Sequence, residues 1–180
     1  MSENKQAILA GGCFWCTEAV FRQLAGVSEV ESGYIGGDVA DPIYKQVCSG
    51  TTGHAEAIRI TFDPAVLELA DLLDVFMATH DPTQLNRQGN DVGTQYRSAI
   101  FLNDDLTQED AEAALARWND EHPGQSAVTT IEGPSTWYPA EDYHQEYWEG
   151  EGQRNPYCMA VIPPKLEKLR RGFKEKLKGG

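Results

Sequence analysis

The chain has 180 residues, 41% hydrophobic and 24% charged, which suits one globular domain spanning residues 1–180 and argues against wholesale disorder. Its formal net charge of −13 excludes a nucleic-acid binder, because phosphate affinity comes largely from Lys and Arg displacing counterions. No apolar run approaches the ~20 residues that span a bilayer. The opening MSENKQAILAGG lacks the basic flank and long apolar core of a secretory signal. A soluble, cytoplasmic monomer without membrane contacts is therefore expected.

In chain order, Ile8-Leu9-Ala10 reads as a short buried strand and residues 17–24 as a helix. Residues 27–35 hold a second strand. The alternation in AIRITF places Ile58, Ile60 and Phe62 on one face of a third. Residues 67–79 predict a helix, and residues 98–102 another buried strand. Residues 107–121 form a further helix, with Thr107 as N-cap and Asp110 in an acidic first turn. Residues 80–96 have almost no periodicity yet are rich in Gly, Asn, Asp and Gln, and so long a polar loop points to function. From Pro139 onward aromatic and polar residues mix without a clean period. Residues 165–178 carry seven Lys or Arg, with Leu166, Leu169, Phe173 and Leu177 at helical spacing. They read as an amphipathic helix docked by its apolar stripe, its basic face in solvent. Strands alternating with helices imply a sheet layered against helices.

The first chemical signal is ILAGGCFWCTEAVF. A strand ends in Gly11-Gly12, and Cys13 arrives just before a helical run. A sulfur there faces the unsatisfied N–H groups and positive end of the helix, which favours the nucleophilic thiolate. The bland reading of Cys13 is an inert buried thiol. Phe14 and Trp15 beside it at a glycine-rich turn argue instead for an exposed apolar pocket next to a reactive sulfur. Cys16 completes a C-x-x-C spacing, which reads as a redox pair or as half a zinc site. The chain has no second C-x-x-C and no H-x-x-x-H, so redox outranks metal.

The segments YKQVCSGTTGHAE (44–56) and DPTQLNRQGNDVGTQYRSAIF (81–101) add a second signal. With GGCFWCTEAVF and GYIGG, they closely resemble the peptide methionine sulfoxide reductases of the A type. The likeness runs from about Ala10 to Tyr147 and more weakly to the C-terminus. It implies a two-layer α+β sandwich with a ferredoxin-like core. It also implies reduction of methionine S-sulfoxide, free or in proteins, with no metal or organic cofactor. By that resemblance Cys13 is the nucleophile and is left as a sulfenic acid. Glu56 is the proton donor, Tyr44 and Tyr96 bind the sulfoxide oxygen, Phe14 and Trp15 hold the methyl group, and Asp91 orients substrate and tunes the thiol.

Each residue also has a plain structural reading. Glu56 alone would be a solvated carboxylate, Tyr44 a surface residue, Tyr96 a core aromatic and Asp91 a turn former. His54, His80 and His144 read as structural histidines, and Cys48 as a passive thiol. The family regenerates the enzyme with thioredoxin or another thiol through a second cysteine. Cys16, which replaces a glycine found in many relatives, and Cys158, in NPYC, are both candidates for that resolving role. Direct reduction by an external thiol is a third route. Two other classes of function compete: a general C-x-x-C thiol–disulfide oxidoreductase, and a non-catalytic module that binds exposed methionines through Phe14 and Trp15.

Overall fold

The structure, a computed structural model, describes residues 3–178. Its central sheet takes β1 (Lys5–Gly11), β2 (Val27–Ile35), β3 (Ala55–Phe62), β6 (Ser98–Phe101), β7 (Thr130–Glu132) and β8 (Tyr138–Pro139). Their spatial order is β7-β6-β1-β3-β2-β8, antiparallel throughout except for the parallel β6–β7 pair. A two-stranded ribbon of β4 (Arg87–Gln88) and β5 (Asp91–Val92) stands apart from it.

Alternation along the strands sorts side chains onto two faces. Leu9, Val30, Ile58, Ile60, Phe62 and Ile100 join the main core, while Ala10, Ile35, Ala55, Ala57, Ala99 and Phe101 form a smaller cluster behind the sheet. Four helices feed only the main core: α1 (Phe14–Phe21), α3 (Leu69–Thr79), α4 (Gln108–Glu121) and α5 (Pro156–Phe173). The fifth, α2 (Tyr44–Cys48), is one short turn. This mixed α/β layering places the helix starts of α1 and α5 over the strand ends that carry the chemistry.

Three elements depart from the sequence expectation. The first helix begins at Phe14, three residues early, because Cys13 itself is its N-cap. The last helix begins at Pro156 and runs through Pro163 and Pro164, and Asn155 caps its free N–H groups at Tyr157 and Cys158. Proline costs an interior helix about 3 kcal/mol, but burial of Cys158, Ile162, Leu166 and Leu169 against the core offsets that loss. Leu177 lies outside this helix and pairs instead with Leu24, so the end of the chain returns to the loop after α1. By contrast, α4 starts as anticipated: Thr107 and Asp110 form a reciprocal capping box.

Among the described residues, no helix is long and apolar enough to cross a membrane.

Candidate active site

β1 delivers Cys13 to the start of α1 through Gly11-Gly12. Gly12 adopts φ +97°, and a Cβ there would lie 2.7 Å from Gln88, so only glycine lets the ribbon approach the cysteine this closely. The Gln88 amide in turn clasps the backbone of Asp81 through both its oxygen and its nitrogen, at 2.9 and 3.0 Å. The loop 80–96 is thus pinned against the catalytic turn.

Cys13 is buried, and its thiol donates to the sulfur of Cys16 one helical turn on. The Trp15 N–H at the helix start lowers the Cys13 thiol, as the sequence reading expects, and other neighbours act against it. Burial, that hydrogen bond and the field of Glu56 push the Cys13 thiol well above its ordinary range, outweighing the Trp15 N–H that lowers it. Cys16 shifts the other way. The neighbouring Cys13 thiol, the ammonium of Lys165 and the nearby Tyr157 hydroxyl lower it, against the burial that raises it. Of the two thiols, Cys16 is thus the more readily ionised.

Glu56 sits on β3 at 1% exposure. Its Oε1 accepts the backbone N–H of Phe14 at 3.2 Å, while Oε2 has no hydrogen-bond partner. Burial first, then the fields of Asp91 and Cys16, raise its pKa to about 8, so the carboxyl is protonated at neutral pH. A solvated carboxylate is excluded by its burial.

Tyr44 opens α2 and Tyr96 closes the short turn after β5; both are half-buried. Their hydroxyls share the Cys48 thiol, and burial together with the field of Glu56 raises both of their pKa values. Asp91, on β5, accepts the hydroxyl of Tyr157. Cys13, Glu56, Tyr44, Tyr96 and Asp91 are therefore gathered around one centre from four separate stretches of chain.

Phe14 and Trp15 flank the thiol differently from the expected exposed pair. Phe14, the first residue of α1, points into the core and is fully buried against Tyr34. Trp15 is half-exposed, stacks on Tyr147 with centroids 4.1 Å apart, and donates its indole N–H to Nδ1 of His144 at 3.0 Å.

The comparisons with known proteins bear on this arrangement directly. The family model for peptide methionine sulfoxide reductase matches residues 5–177. The peptide methionine sulfoxide reductase MsrA of Erwinia tasmaniensis is 68% identical over 170 residues, covering 94% of this chain and 95% of the relative. This chain belongs to the peptide methionine sulfoxide reductase family. Among solved structures, it is similar to Mxr1 from Saccharomyces cerevisiae in reduced form. That match has 34% identity and a TM-score of 0.74, covering 86% of this chain and 87% of the yeast chain. Mxr1 in complex with Trx2 also matches, at 23% identity and a TM-score of 0.55, over 82% of this chain and 88% of that one.

Other residues of this reductase complete the site. His144, read from sequence as structural, lies in its middle. It is fully buried, packs on Phe14 at 5.1 Å and Tyr44 at 4.3 Å, and burial keeps it neutral by lowering its pKa. The segment that carries it is fastened at several points. Glu141 accepts from the Tyr34 hydroxyl at 2.9 Å and the Tyr44 N–H at 3.0 Å, and Gln145 bonds both backbone groups of Ser32. Glu18, buried in α1, accepts the N–H of Glu146 at 2.7 Å. His54 and His80 are structural, as expected. His54 Nδ1 accepts the Gly37 N–H at 3.0 Å and its Nε2 lies 2.7 Å from the Val39 carbonyl; His80 bonds Phe76 and Ser98 inside the core. Cys48 is exposed at the end of α2, near the Tyr44 and Tyr96 hydroxyls. Cys158 is fully buried in the first turn of α5, and burial pushes its thiol up to about 12. Among the described residues, no three His, Cys, Asp or Glu side chains stand close enough to hold a metal ion.

Proposed function

We propose that this chain is a peptide-methionine (S)-S-oxide reductase that reduces methionine S-sulfoxide, free or in proteins, through a sulfenic acid on Cys13. The observation that carries the proposal is the pairing of a nucleophile with a protonated acid. Cys13 and Phe14 are consecutive, and the Phe14 N–H holds a Glu56 carboxyl that keeps its proton up to about pH 8. Sulfoxide reduction needs those two groups together, because sulfur is attacked while oxygen is protonated. Thiol–disulfide exchange at the two cysteines has no departing oxygen to protonate, and a methionine-binding module has no use for the thiol pair.

Cys13 passes its proton along the existing hydrogen bond to Cys16 and attacks the sulfoxide sulfur. Glu56 protonates the departing oxygen, and the Tyr44 and Tyr96 hydroxyls turn from Cys48 to that oxygen as its negative charge develops. The S–O bond to methionine breaks, its oxygen bonds to the Cys13 sulfur as the new S–S bond breaks, methionine leaves with that electron pair, and Cys13 carries the hydroxyl as sulfenic acid. Trp15, held by His144, presents an aromatic face to the substrate methyl group, a contact worth roughly 0.3–1.5 kcal/mol. Asp91 anchors Tyr157 and adds to the field that keeps Glu56 protonated.

The yeast relative, solved with Trx2, supports thioredoxin as the reductant here. A cytoplasmic setting fits this thiol chemistry, as cytosolic thiols are kept reduced. The succession β1-α1-β2-β3-α3-β6, with spatial order β6-β1-β3-β2, supports a ferredoxin-like core within one catalytic domain.

The test is to supply reduced protein and thioredoxin with each methionine sulfoxide epimer and measure methionine. The S epimer is turned over, the R epimer is not, and Cys13→Ser abolishes the activity. Turnover of disulfide substrates with neither epimer consumed would favour the oxidoreductase instead.

A further inference from the structure

We propose that Cys16 carries a second activity, the reduction of small hydroperoxides, in a chamber beside the sulfoxide site. This activity starts at a different sulfur from sulfoxide reduction and needs neither Glu56 nor the two tyrosines.

The chamber is a cavity of about 300 Å³ onto which Cys16, Cys13, Gln88, Tyr157 and Lys165 face. Glu56, Tyr44, Tyr96 and Trp15 do not line it. Gly11, Ala160 and Val161 keep the rest of the wall small, and the mouth lies at the exposed ribbon turn, Gly89 and Asn90. The volume sits at the small end of ligand pockets, which start at roughly 300 Å³. Cys16 lines this space although it is only 2% exposed. A sulfur so little exposed selects for a small, uncharged reactant, and a hydroperoxide is one.

The wall suits attack on an O–O bond. The Lys165 Nζ donates to the Thr79 carbonyl at 2.8 Å, its only acceptor among the described residues. An ammonium carries three N–H donors, so the others can hold an oxygen that departs with negative charge. Tyr157 is tied to Asp91, and Gln88 to the backbone of Asp81, so the wall is fixed before a reactant arrives. The same Lys165 and Tyr157 favour the Cys16 thiolate, the form that attacks.

The other thiols are worse placed. Burial, Cys16 and the field of Glu56 raise the Cys13 thiol, which attacks where Glu56 can protonate a departing oxygen. Cys48 and Cys158 have raised thiols and do not line the chamber.

In the step itself, the Cys16 sulfur attacks the terminal oxygen of a hydroperoxide ROOH, and the O–O bond breaks. The RO fragment leaves with the bonding pair beside Lys165 and takes the proton that Cys16 gave up. Cys16 thiol and ROOH thus become Cys16 sulfenic acid and ROH, the sulfur oxidised and the peroxide reduced. Two thiol groups of the reductant that serves sulfoxide turnover then restore the Cys16 thiol. They become a disulfide, and the oxygen leaves as water.

The experiment mixes reduced full chain with hydrogen peroxide in stopped flow, without reductant, and follows peroxide loss. Rapid loss is expected from the parent and not from Cys16→Ser. Lys165→Met slows it about tenfold or more, as loss of a charge-assisted hydrogen bond to the departing oxygen implies. That variant still releases about one equivalent of methionine from methionine S-sulfoxide, which shows that it is folded. In a Cys13→Ser chain given substoichiometric peroxide, a cyclic 1,3-diketone labels Cys16 ahead of Cys48 and Cys158. Label on Cys48 or Cys158 first, parent peroxide loss no faster than that of Cys16→Ser, or an undiminished rate in Lys165→Met overturns the hydroperoxide activity. Methionine release by the parent is read in parallel. Methionine without peroxide loss overturns this activity alone, and peroxide loss without methionine overturns the sulfoxide reading alone.

Discussion

The backbone N–H of Phe14 donates to Oε1 of Glu56 at 3.2 Å, and Oε2 of the same carboxyl has no partner. One oxygen thus fixes the acid against the start of α1, one residue from the nucleophile. The other is free to carry the proton that the sulfoxide oxygen takes. A buried polar atom left unpaired costs about 1–3 kcal/mol, a cost consistent with a catalytic group awaiting substrate.

The first consequence concerns pH. Glu56 holds its proton up to about pH 8, so the first reductive step runs on a plateau through neutral pH and falls as pH rises through that value. Single-turnover rates of methionine release between pH 6 and 10 check this. A rate that falls instead below pH 6, with an acid limb near an ordinary carboxylate, would contradict a neutral Glu56.

Glu56→Gln separates catalysis from stability. Losing the acid slows the first step by about 10²–10⁴-fold. Stability moves oppositely. Below about pH 4.5 both folded and unfolded chains hold the Glu56 proton. Between that pH and about 8 only the folded chain does, so folding loses stability as pH rises. At pH 7 the penalty is on the order of 3 kcal/mol, at 1.36 kcal/mol per pKa unit. The glutamine variant escapes it. Its melting temperature therefore exceeds the parent's at pH 8 and converges with it near pH 4.5.

The contact between Trp15 Nε1 and His144 Nδ1, at 3.0 Å, predicts a binding effect. His144→Phe removes the acceptor, frees the indole to rotate, and leaves its N–H unpaired. KM for methionine S-sulfoxide rises by about three- to tenfold, as loss of one hydrogen bond of about 1 kcal/mol implies, while the alkaline limb set by Glu56 stays put. A shift of that limb with KM unchanged would contradict this role.

Lys165→Met removes the cation that favours charge on Cys16. Disulfide formation after the first turnover slows at neutral pH and recovers as pH rises, whereas methionine release keeps its own profile. Stopped-flow tryptophan fluorescence with quenched methionine analysis resolves the two steps. Equal slowing of both would assign Lys165 to packing alone.

Much of this site is readable in the sequence because its groups sit in short contiguous motifs. Cys13, Phe14 and Trp15 are consecutive, Glu56 closes GHAE, and Asp91 and Tyr96 share one loop. The strands read well because period-two alternation survives on a sheet whose two faces bury different residues. His144, Tyr157 and Lys165 escape notice because they are single residues more than a hundred positions from the thiols, brought there by α5 and the segment before it. That segment has no period, since its order comes from Glu141, Gln145 and Glu18 making polar bonds to distant backbone. What raises the Cys13 thiol is equally invisible. The helix start argues for a thiolate, and only the burial and the neighbouring Glu56 and Cys16 reverse the sign.

The most direct test of the central claim is stoichiometric. Reduced chain, freed of external thiol, is mixed with excess methionine S-sulfoxide, and methionine is measured over time. The account predicts a burst of about one equivalent per chain, abolished by Cys13→Ser and greatly slowed by Glu56→Gln. No methionine from folded, fully reduced protein, or an undiminished burst in either variant, would contradict it.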